Sequence, residues 1–135
     1  MRSNLRIECV VFDTSALLSM FTRGLRVIDQ VISIVNAPII PVVTYPIINE
    51  LVKLSNLGRP GINKAASNAL DYVLSNFSIA NAEGSPDDSI VEFSRRYGCI
   101  AVTMDTKLLR RLREVGVRTI YLRASSNRLE ADFYG

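Results

Sequence analysis

Short apolar runs that predict β-strands alternate with helical segments along nearly the whole chain. The runs are RIECVVF (6–12), APIIPVV (37–43), FSIA (77–80), CIAVTM (99–104) and VRTIYL (117–122). Parallel strands are joined by crossover connections, usually helices, which cover both faces of the sheet. The alternation therefore predicts an α/β protein built on a parallel sheet.

The segments between the strand-like runs carry helix signals. The clearest is SPDDSIVEFSRRYG, in which Ser85 caps the helix, Pro86 takes its first position and Gly98 ends it. Periodicity and caps predict further helices over 15–21, 25–36, 44–57 (with Thr44 as the cap), 62–76 and 105–116. With 135 residues and no linker, the chain is expected to form one domain over 1–135.

Hydropathy argues against membrane association. No apolar run in the sequence approaches the roughly 20 residues that span a bilayer. The N-terminal MRSNLRIE lacks the apolar core of a secretory signal. We therefore expect a cytoplasmic protein without a membrane partner.

The chain contains two cysteines and no histidine. A structural zinc site, a Cys–His nucleophile pair and a Ser–His–Asp triad are therefore disfavoured or excluded. Cys9 and Cys99 both lie in apolar runs, which predicts small, buried, unpaired side chains. A disulfide between them would require their two strands to be neighbours.

Positive charge is concentrated in one part of the chain. Residues 95–128 carry nine Lys or Arg and two acids, a balance of +7, whereas the whole chain carries +3. A basic segment of this kind predicts a polyanionic partner, most commonly nucleic acid. The alternative is a solvated helix face.

Acidic residues stand where a parallel sheet places its ligand site. Asp13 and Asp105 each end a strand-like run, Glu50 lies in the helix after the second run, and Asp87 and Asp88 open the helix before the fourth. Each acid alone is explained as a helix cap, a dipole partner or a solvent-facing residue. Ligands of open α/β sheets bind beyond the carboxyl ends of the strands, where these acids would converge.

Carboxylates held close together repel one another unless a cation neutralises them. Hard oxygen ligands select Mg²⁺ or Mn²⁺, and such a cation can promote phosphodiester hydrolysis. The neighbouring basic residues would hold the substrate phosphates. An acidic site beside a basic rim is the arrangement expected of a metal-dependent nuclease.

Four stretches resemble the PIN-domain family of nucleases, and together they cover essentially the whole chain. They are VVFDTSALL, IINELVKL, DDSIVEFSRRYGCIAVTMDTKLLRRL and VRTIYL. The resemblance implies a three-layer α/β/α sandwich with a parallel five-stranded sheet in the order 3-2-1-4-5. It also implies Mg²⁺- or Mn²⁺-dependent endonucleolytic cleavage of single-stranded or structured RNA.

The resemblance assigns catalytic and metal-binding roles to the acids. Carried over by position, the acids are Asp13, Glu50 and Asp105, and the family's D-x-x-I spacing selects Asp87 with Asp88 as the alternative ligand. Since the sequence has no further acid directly after Asp105, a second metal position is in doubt.

The same resemblance gives supporting roles to other residues. Ser15 and Thr103 match hydroxyl positions that support the acids through hydrogen bonds. The residues expected to bind RNA are Lys107, Arg110, Arg111 and Arg113.

Several cellular roles agree with this resemblance. The Arg-rich helix favours the branch that processes ribosomal RNA, with an rRNA precursor as substrate and a ribosome-assembly partner. A toxin ribonuclease with an antitoxin partner and a catalytically silent RNA-binding scaffold are the alternatives, and the family also forms homodimers. A phosphoacceptor receiver domain is disfavoured, because FSIANAEG has no Asp and VRTIYLRA has no Lys.

Overall fold

The computed structural model describes residues 6–123 and 126–133. The strands are β1 (Glu8–Phe12), β2 (Ile39–Thr44), β3 (Ser78–Ala80), β4 (Ile100–Thr103), β5 (Thr119–Leu122) and β6 (Leu129–Ala131). The helices are α1 (Thr14–Thr22), α2 (Val27–Val35), α3 (Tyr45–Leu57), α4 (Ile62–Asn76), α5 (Pro86–Tyr97) and α6 (Thr106–Glu114). None of these helices is long and apolar enough to cross a membrane.

All of the described strands belong to one sheet, in the order β3-β2-β1-β4-β5-β6. The first five are parallel, which confirms the predicted order 3-2-1-4-5. The expectation of five strands is incomplete, because β6 pairs with β5 in the antiparallel direction. This strand has three residues and lies in a mostly polar stretch, so it carries little periodicity for a sequence pattern to detect.

The strand order reverses between β1 and β4. The chain moves from β1 to β2 and β3 on one side, and then returns across the sheet to β4 and β5 on the other. Right-handed crossovers in opposite directions place their helices on opposite faces of the sheet. Accordingly α1 and α3 pack on α4, whereas α5 packs on α6. A crevice at the carboxyl ends of β1 and β4 is the expected ligand site of this topology.

The apolar core surrounds the two central strands. Val10, Val11, Phe12 and Ile100 are completely buried. The ring of Phe12 meets that of Phe77 edge to face, with 5.1 Å between the ring centroids. Burial on both faces explains why β1 is a continuous apolar run and not an alternating one.

The prediction that the two cysteines are unpaired is wrong, because Cys9 and Cys99 form a disulfide bond. The register of β1 and β4 pairs Val10 with Ile100, so the two preceding residues lie side by side, with Cα atoms 4.7 Å apart. The bond therefore joins the amino-terminal ends of the two central strands, at the edge opposite the crevice.

Thr44 occupies the predicted cap position of α3, but its side chain does not cap the helix. Its buried hydroxyl instead shares a 2.8 Å hydrogen bond with the Ser89 hydroxyl. This contact ties the end of β2 to α5, the helix that carries two of the candidate acids.

Removal of the disulfide is expected to destabilise the protein. The bond closes a loop with a sequence separation of 90 residues, and loops of this size correspond to roughly 2–5 kcal/mol of unfolding free energy. We expect a double variant, Cys9→Ala with Cys99→Ala, to show this loss in urea denaturation. Reductant should lower the stability of the wild type by a similar amount and leave the double variant unchanged. Two alkylatable thiols in the denatured but unreduced wild-type protein would contradict the bond.

Candidate active site

Asp13 lies at the carboxyl end of β1 and is only 4% exposed. Its backbone N–H donates to the Val102 carbonyl, so the strand pairing with β4 continues up to this residue. The carboxylate caps α1 by accepting the Ala16 N–H at 2.8 Å. Asp13 is therefore a helix cap, as its sequence context alone suggests, and it stands at the carboxyl end of a central strand.

Two hydroxyl groups hold the Asp13 carboxylate. Ser15 donates to it at 2.8 Å from Oδ1 and 2.9 Å from Oδ2, and Thr103 donates to Oδ2 at 2.6 Å. Each hydroxyl oxygen also accepts a backbone N–H at 3.0 Å, Ser15 from Met104 and Thr103 from Asp105. Because these backbone bonds fix the hydroxyl oxygens, their protons are directed at the carboxylate. Both predicted supporting residues thus contact an acid.

Asp105 follows β4 and caps α6. Its Oδ1 accepts the N–H groups of Lys107 at 2.8 Å and Leu108 at 3.3 Å. The side chain is at the surface, whereas that of Asp13 is buried. The Thr103 hydroxyl connects the two acids, because it accepts the Asp105 N–H and donates to the Asp13 carboxylate.

The charges of three acids act on one another. Burial raises the pKa of Asp13 to about 6, and the nearby charge of Asp87 adds to this rise, while the hydrogen bonds from Thr103, Ala16 and Ser15 oppose it. The pKa of Asp87 is also raised, first by burial and then by the charges of Asp105 and Asp88, while Arg111 opposes the rise. Asp13, Asp87 and Asp105 therefore share one electrostatic environment, which we call the acidic cluster.

Asp88 faces a different partner from its neighbour Asp87. Its Oδ1 accepts a 2.7 Å hydrogen bond from the Arg111 guanidinium, and this contact lowers the pKa of Asp88. Its backbone N–H donates to the capping Ser85 hydroxyl. Of the two acids that the sequence left as alternatives, Asp88 is paired with an arginine, whereas the charge of Asp87 acts together with those of Asp13 and Asp105.

Glu50 reaches the same region from α3. It is partly buried, and its Oε1 accepts a hydrogen bond from the Thr14 hydroxyl. Thr14 directly follows Asp13 in the chain, so this contact holds Glu50 beside the start of α1. Thr14 was not among the predicted site residues, although its place in the D-T-S triplet after β1 was the signal that could have identified it.

The acidic cluster fits Mg²⁺ or Mn²⁺ better than zinc. All of the donor groups are carboxylates, and burial together with neighbouring negative charge leaves Asp13 in need of a compensating cation. Within residues 6–123 and 126–133, no three Asp, Glu, Cys or His side chains are gathered closely enough to form a complete ligand set. A Mg²⁺ ion held here would bind through one or two carboxylates and complete its coordination with water.

The predicted RNA-binding residues of α6 divide into two groups. Lys107 and Arg111 are four residues apart and thus share a helix face. Arg111 pairs with Asp88, and its charge also acts on Asp87, so this face lies beside the cluster. Arg113 pairs with Asp132 at 3.2 Å and lies over the Tyr121 ring, which gives it a structural role at the sheet edge. Arg110 is exposed beside a shallow groove that Arg113 also lines.

The raised pKa of Asp13 predicts a pH-dependent stability in the absence of divalent cations. The folded protein retains the proton up to about pH 6, whereas the unfolded chain loses it near pH 3.8. Stability is therefore lost as the pH rises through this range, by about 3 kcal/mol in total. In urea titrations with chelator, we expect the unfolding free energy of Asp13→Asn to rise by about 3 kcal/mol relative to that of the wild type between pH 4 and pH 7. A difference in unfolding free energy that is the same at all pH values would contradict the raised pKa of the buried Asp13 carboxyl.

Three comparisons place the chain among known proteins. The sequence profile described as a PIN-like domain matches residues 10–125. Ribonuclease VapC9 of Archaeoglobus fulgidus is 28% identical over 120 residues, which cover 89% of this chain and 87% of that protein. Among solved structures, the PIN domain endonuclease Utp24 has a TM-score of 0.74 at 19% identity, over 92% of this chain and 90% of that one. A domain of a functionally unknown protein from Methanocaldococcus jannaschii has a TM-score of 0.66 at 16% identity, over 91% and 96%. The chain therefore belongs to the PIN-like domain family.

Proposed function

We propose that this protein is a metal-dependent endoribonuclease that hydrolyses RNA phosphodiester bonds. The observation that carries the proposal is the acidic cluster, in which the buried Asp13 carboxylate is coupled to Asp87 at the carboxyl edge of the sheet. The family membership supports a nuclease, and the similarity to Ribonuclease VapC9 supports RNA as the substrate.

Asp13, Asp87, Asp105 and Glu50 are the residues proposed to hold Mg²⁺ or Mn²⁺, with Asp88 as an outer neighbour. A divalent cation bound there would neutralise charge at the scissile phosphate and activate water. The hydroxyls of Ser15 and Thr103 keep the Asp13 carboxylate oriented and favour its charged form.

The basic face of α6 is proposed to hold the RNA backbone. Asp88 keeps the Arg111 guanidinium at the border of the acidic cluster, where a phosphate group can replace or share the carboxylate. Lys107 lies one helical turn away on the same face and adds a second positive charge. Arg113 is less suited to this role, because Asp132 and Tyr121 already engage it.

The proposed cellular role is rRNA processing or RNA turnover, in the cytoplasm. Disulfide bonds are uncommon in the cytoplasm outside hyperthermophiles. The Cys9–Cys99 bond therefore argues against a cytoplasmic location unless the organism is a hyperthermophile. The toxin ribonuclease with an antitoxin partner and the silent scaffold remain the alternatives. Exposed apolar side chains on α3 and α4, including Val52, Leu57 and Leu74, agree with the expected homodimer.

A comparison of the two adjacent acids tests the proposal. We expect wild-type protein to cut labelled single-stranded RNA with Mg²⁺ or Mn²⁺, and Asp87→Asn to lower the rate at least about 100-fold, the scale for losing electrostatic stabilisation of a transition state. Asp88→Asn makes the same chemical change one residue away and should lower the rate less than about tenfold. Equal losses for the two variants would contradict the assignment of Asp87, and no cleavage with either cation would favour the scaffold.

The hydroxyl that bridges the central strands provides a second test. Thr103→Val keeps the shape of the side chain but removes its hydrogen bond to Asp13, so metal affinity and cleavage should fall about 10- to 100-fold. Thr103→Ser retains the hydroxyl and should keep most of the activity. If valine and serine behave alike at this position, the hydroxyl does not support the acid.

A further inference from the structure

A groove of about 570 Å³ adjoins the acidic cluster on the side of β2 and β3. Its walls are α3 from Tyr45 to Leu54 and the connection from β3 to α5, and its lining includes Tyr45, Asn49, Lys53, Ala82, Glu83 and Gly84. Glu50 and Pro86 also line it. Glu50 contacts Thr14, the residue after Asp13, and Pro86 precedes Asp87, so the groove lies next to the cluster.

The topology places this groove at the same edge of the sheet as the acids. Tyr45 directly follows β2, as Asp13 directly follows β1. These two strands are hydrogen-bonded neighbours, and adjacent strands lie about 5 Å apart. A ligand at the acidic cluster can therefore extend along the carboxyl edge into the groove.

The side chains of α3 that line the groove suit an unpaired nucleotide. Tyr45, Asn49 and Lys53 follow one another at intervals of four residues and so share a helix face. An aromatic ring can stack on a base, an amide can both donate and accept hydrogen bonds to a base edge, and an ammonium can hold a phosphate.

Tyr45 differs from the other exposed aromatic side chains of the described residues, Phe21 and Tyr97, which both pack on another aromatic ring. The Tyr45 ring is 52% exposed, and no aromatic or cationic side chain within the described residues lies against it. Tyr97 is 60% exposed, but it packs on Phe93 and beneath Arg96. Tyr45 thus presents a free stacking surface next to the proposed catalytic centre.

We propose that this groove binds the base of one unpaired ribonucleotide next to the phosphate that is cut, with the base stacked on Tyr45. The inference rests on the proposed function and adds a substrate requirement to it, namely an unpaired nucleotide at the cleavage site. Bases inside an A-form duplex are already stacked and cannot enter the groove, so duplex RNA is a poor ligand there.

An introduced tryptophan tests the subsite directly. The sequence contains no Trp, so Tyr45→Trp adds a single indole that can still stack on a base. We expect single-stranded RNA in Mg²⁺ to quench its fluorescence in a saturable way, read immediately after mixing. Duplex RNA of the same length should quench it much less. The matched control is Tyr97→Trp. Tyr97 ends α5, whereas the groove lies at the start of that helix, so the fluorescence of this variant should not change. An equal response of both variants, or none from Tyr45→Trp, would overturn the subsite.

Substitution of the ring gives a second measurement. Tyr45→Ala should weaken binding of single-stranded RNA about 5- to 100-fold, the range for losing one base-stacking contact, whereas Tyr45→Phe should keep the affinity. Tyr97→Ala, an equally exposed position, should have no effect. Unchanged binding by Tyr45→Ala, with folding verified by circular dichroism, would contradict the stacking role.

The two proposals fail in distinguishable ways. If RNA quenches the fluorescence of Tyr45→Trp but the wild-type protein cleaves no RNA, the groove is an RNA-binding site and the proposed endoribonuclease activity is refuted. Cleavage that depends on Asp87, together with a silent Tyr45→Trp, would keep the enzyme and refute the subsite.

Discussion

The hydrogen bond from the Thr103 hydroxyl to the buried Asp13 carboxylate joins the ends of the two central strands. Strand order places β1 beside β4, and the register brings Asp13 opposite the residues that end β4. The same threonine accepts the N–H of Asp105, so one side chain fixes the relative position of two candidate ligands. At the opposite end of these strands the Cys9–Cys99 bond holds the pair together. The site therefore stands on two strands that are tied together at both ends.

The electrostatics of the site follow from this placement. Burial of Asp13 next to Asp87 makes its charged form unfavourable, and the hydroxyl and amide donors compensate only in part. On the outer side, Arg111 neutralises Asp88 and also acts on Asp87. One acid of the adjacent pair thus shares the electrostatic environment of Asp13 and the other pairs with an arginine. This division explains how an acidic centre and a basic rim can stand one residue apart.

The sequence was sufficient for the parallel sheet, its order and the acids at its carboxyl edge. The parallel sheet and the acids at its edge follow from strand–helix alternation and caps, which are local signals in the chain, whereas the strand order was implied by the resemblance to the PIN-domain family. The D-x-x-I spacing of the family selected Asp87 over Asp88, and that choice stays a prediction. The disulfide could not be derived in the same way, because it depends on the register between two strands that are distant in sequence.

Pairwise contacts across the fold were likewise hidden from the sequence. Arg113 resembled the other basic residues of α6, but its partner Asp132 comes from the segment after β6, a strand too short to predict. Tyr45 resembled an ordinary first helical residue, and only the neighbouring loop from β3 to α5 turns it into the wall of a groove. The charge partner of Arg113 and the surroundings of Tyr45 depend on residues that are distant in sequence, so only the fold reveals them.

The proposed activity requires the acidic cluster to bind a divalent cation, and direct measurement of Mn²⁺ binding tests this requirement. In a titration followed by electron paramagnetic resonance, wild-type protein should reduce the signal of free Mn²⁺ in a saturable way that excess Mg²⁺ reverses. Asp13→Asn should abolish this binding, whereas Asp88→Asn should retain it. Free Mn²⁺ that is unaffected by the wild-type protein, or bound equally by wild type and Asp13→Asn, would contradict the account.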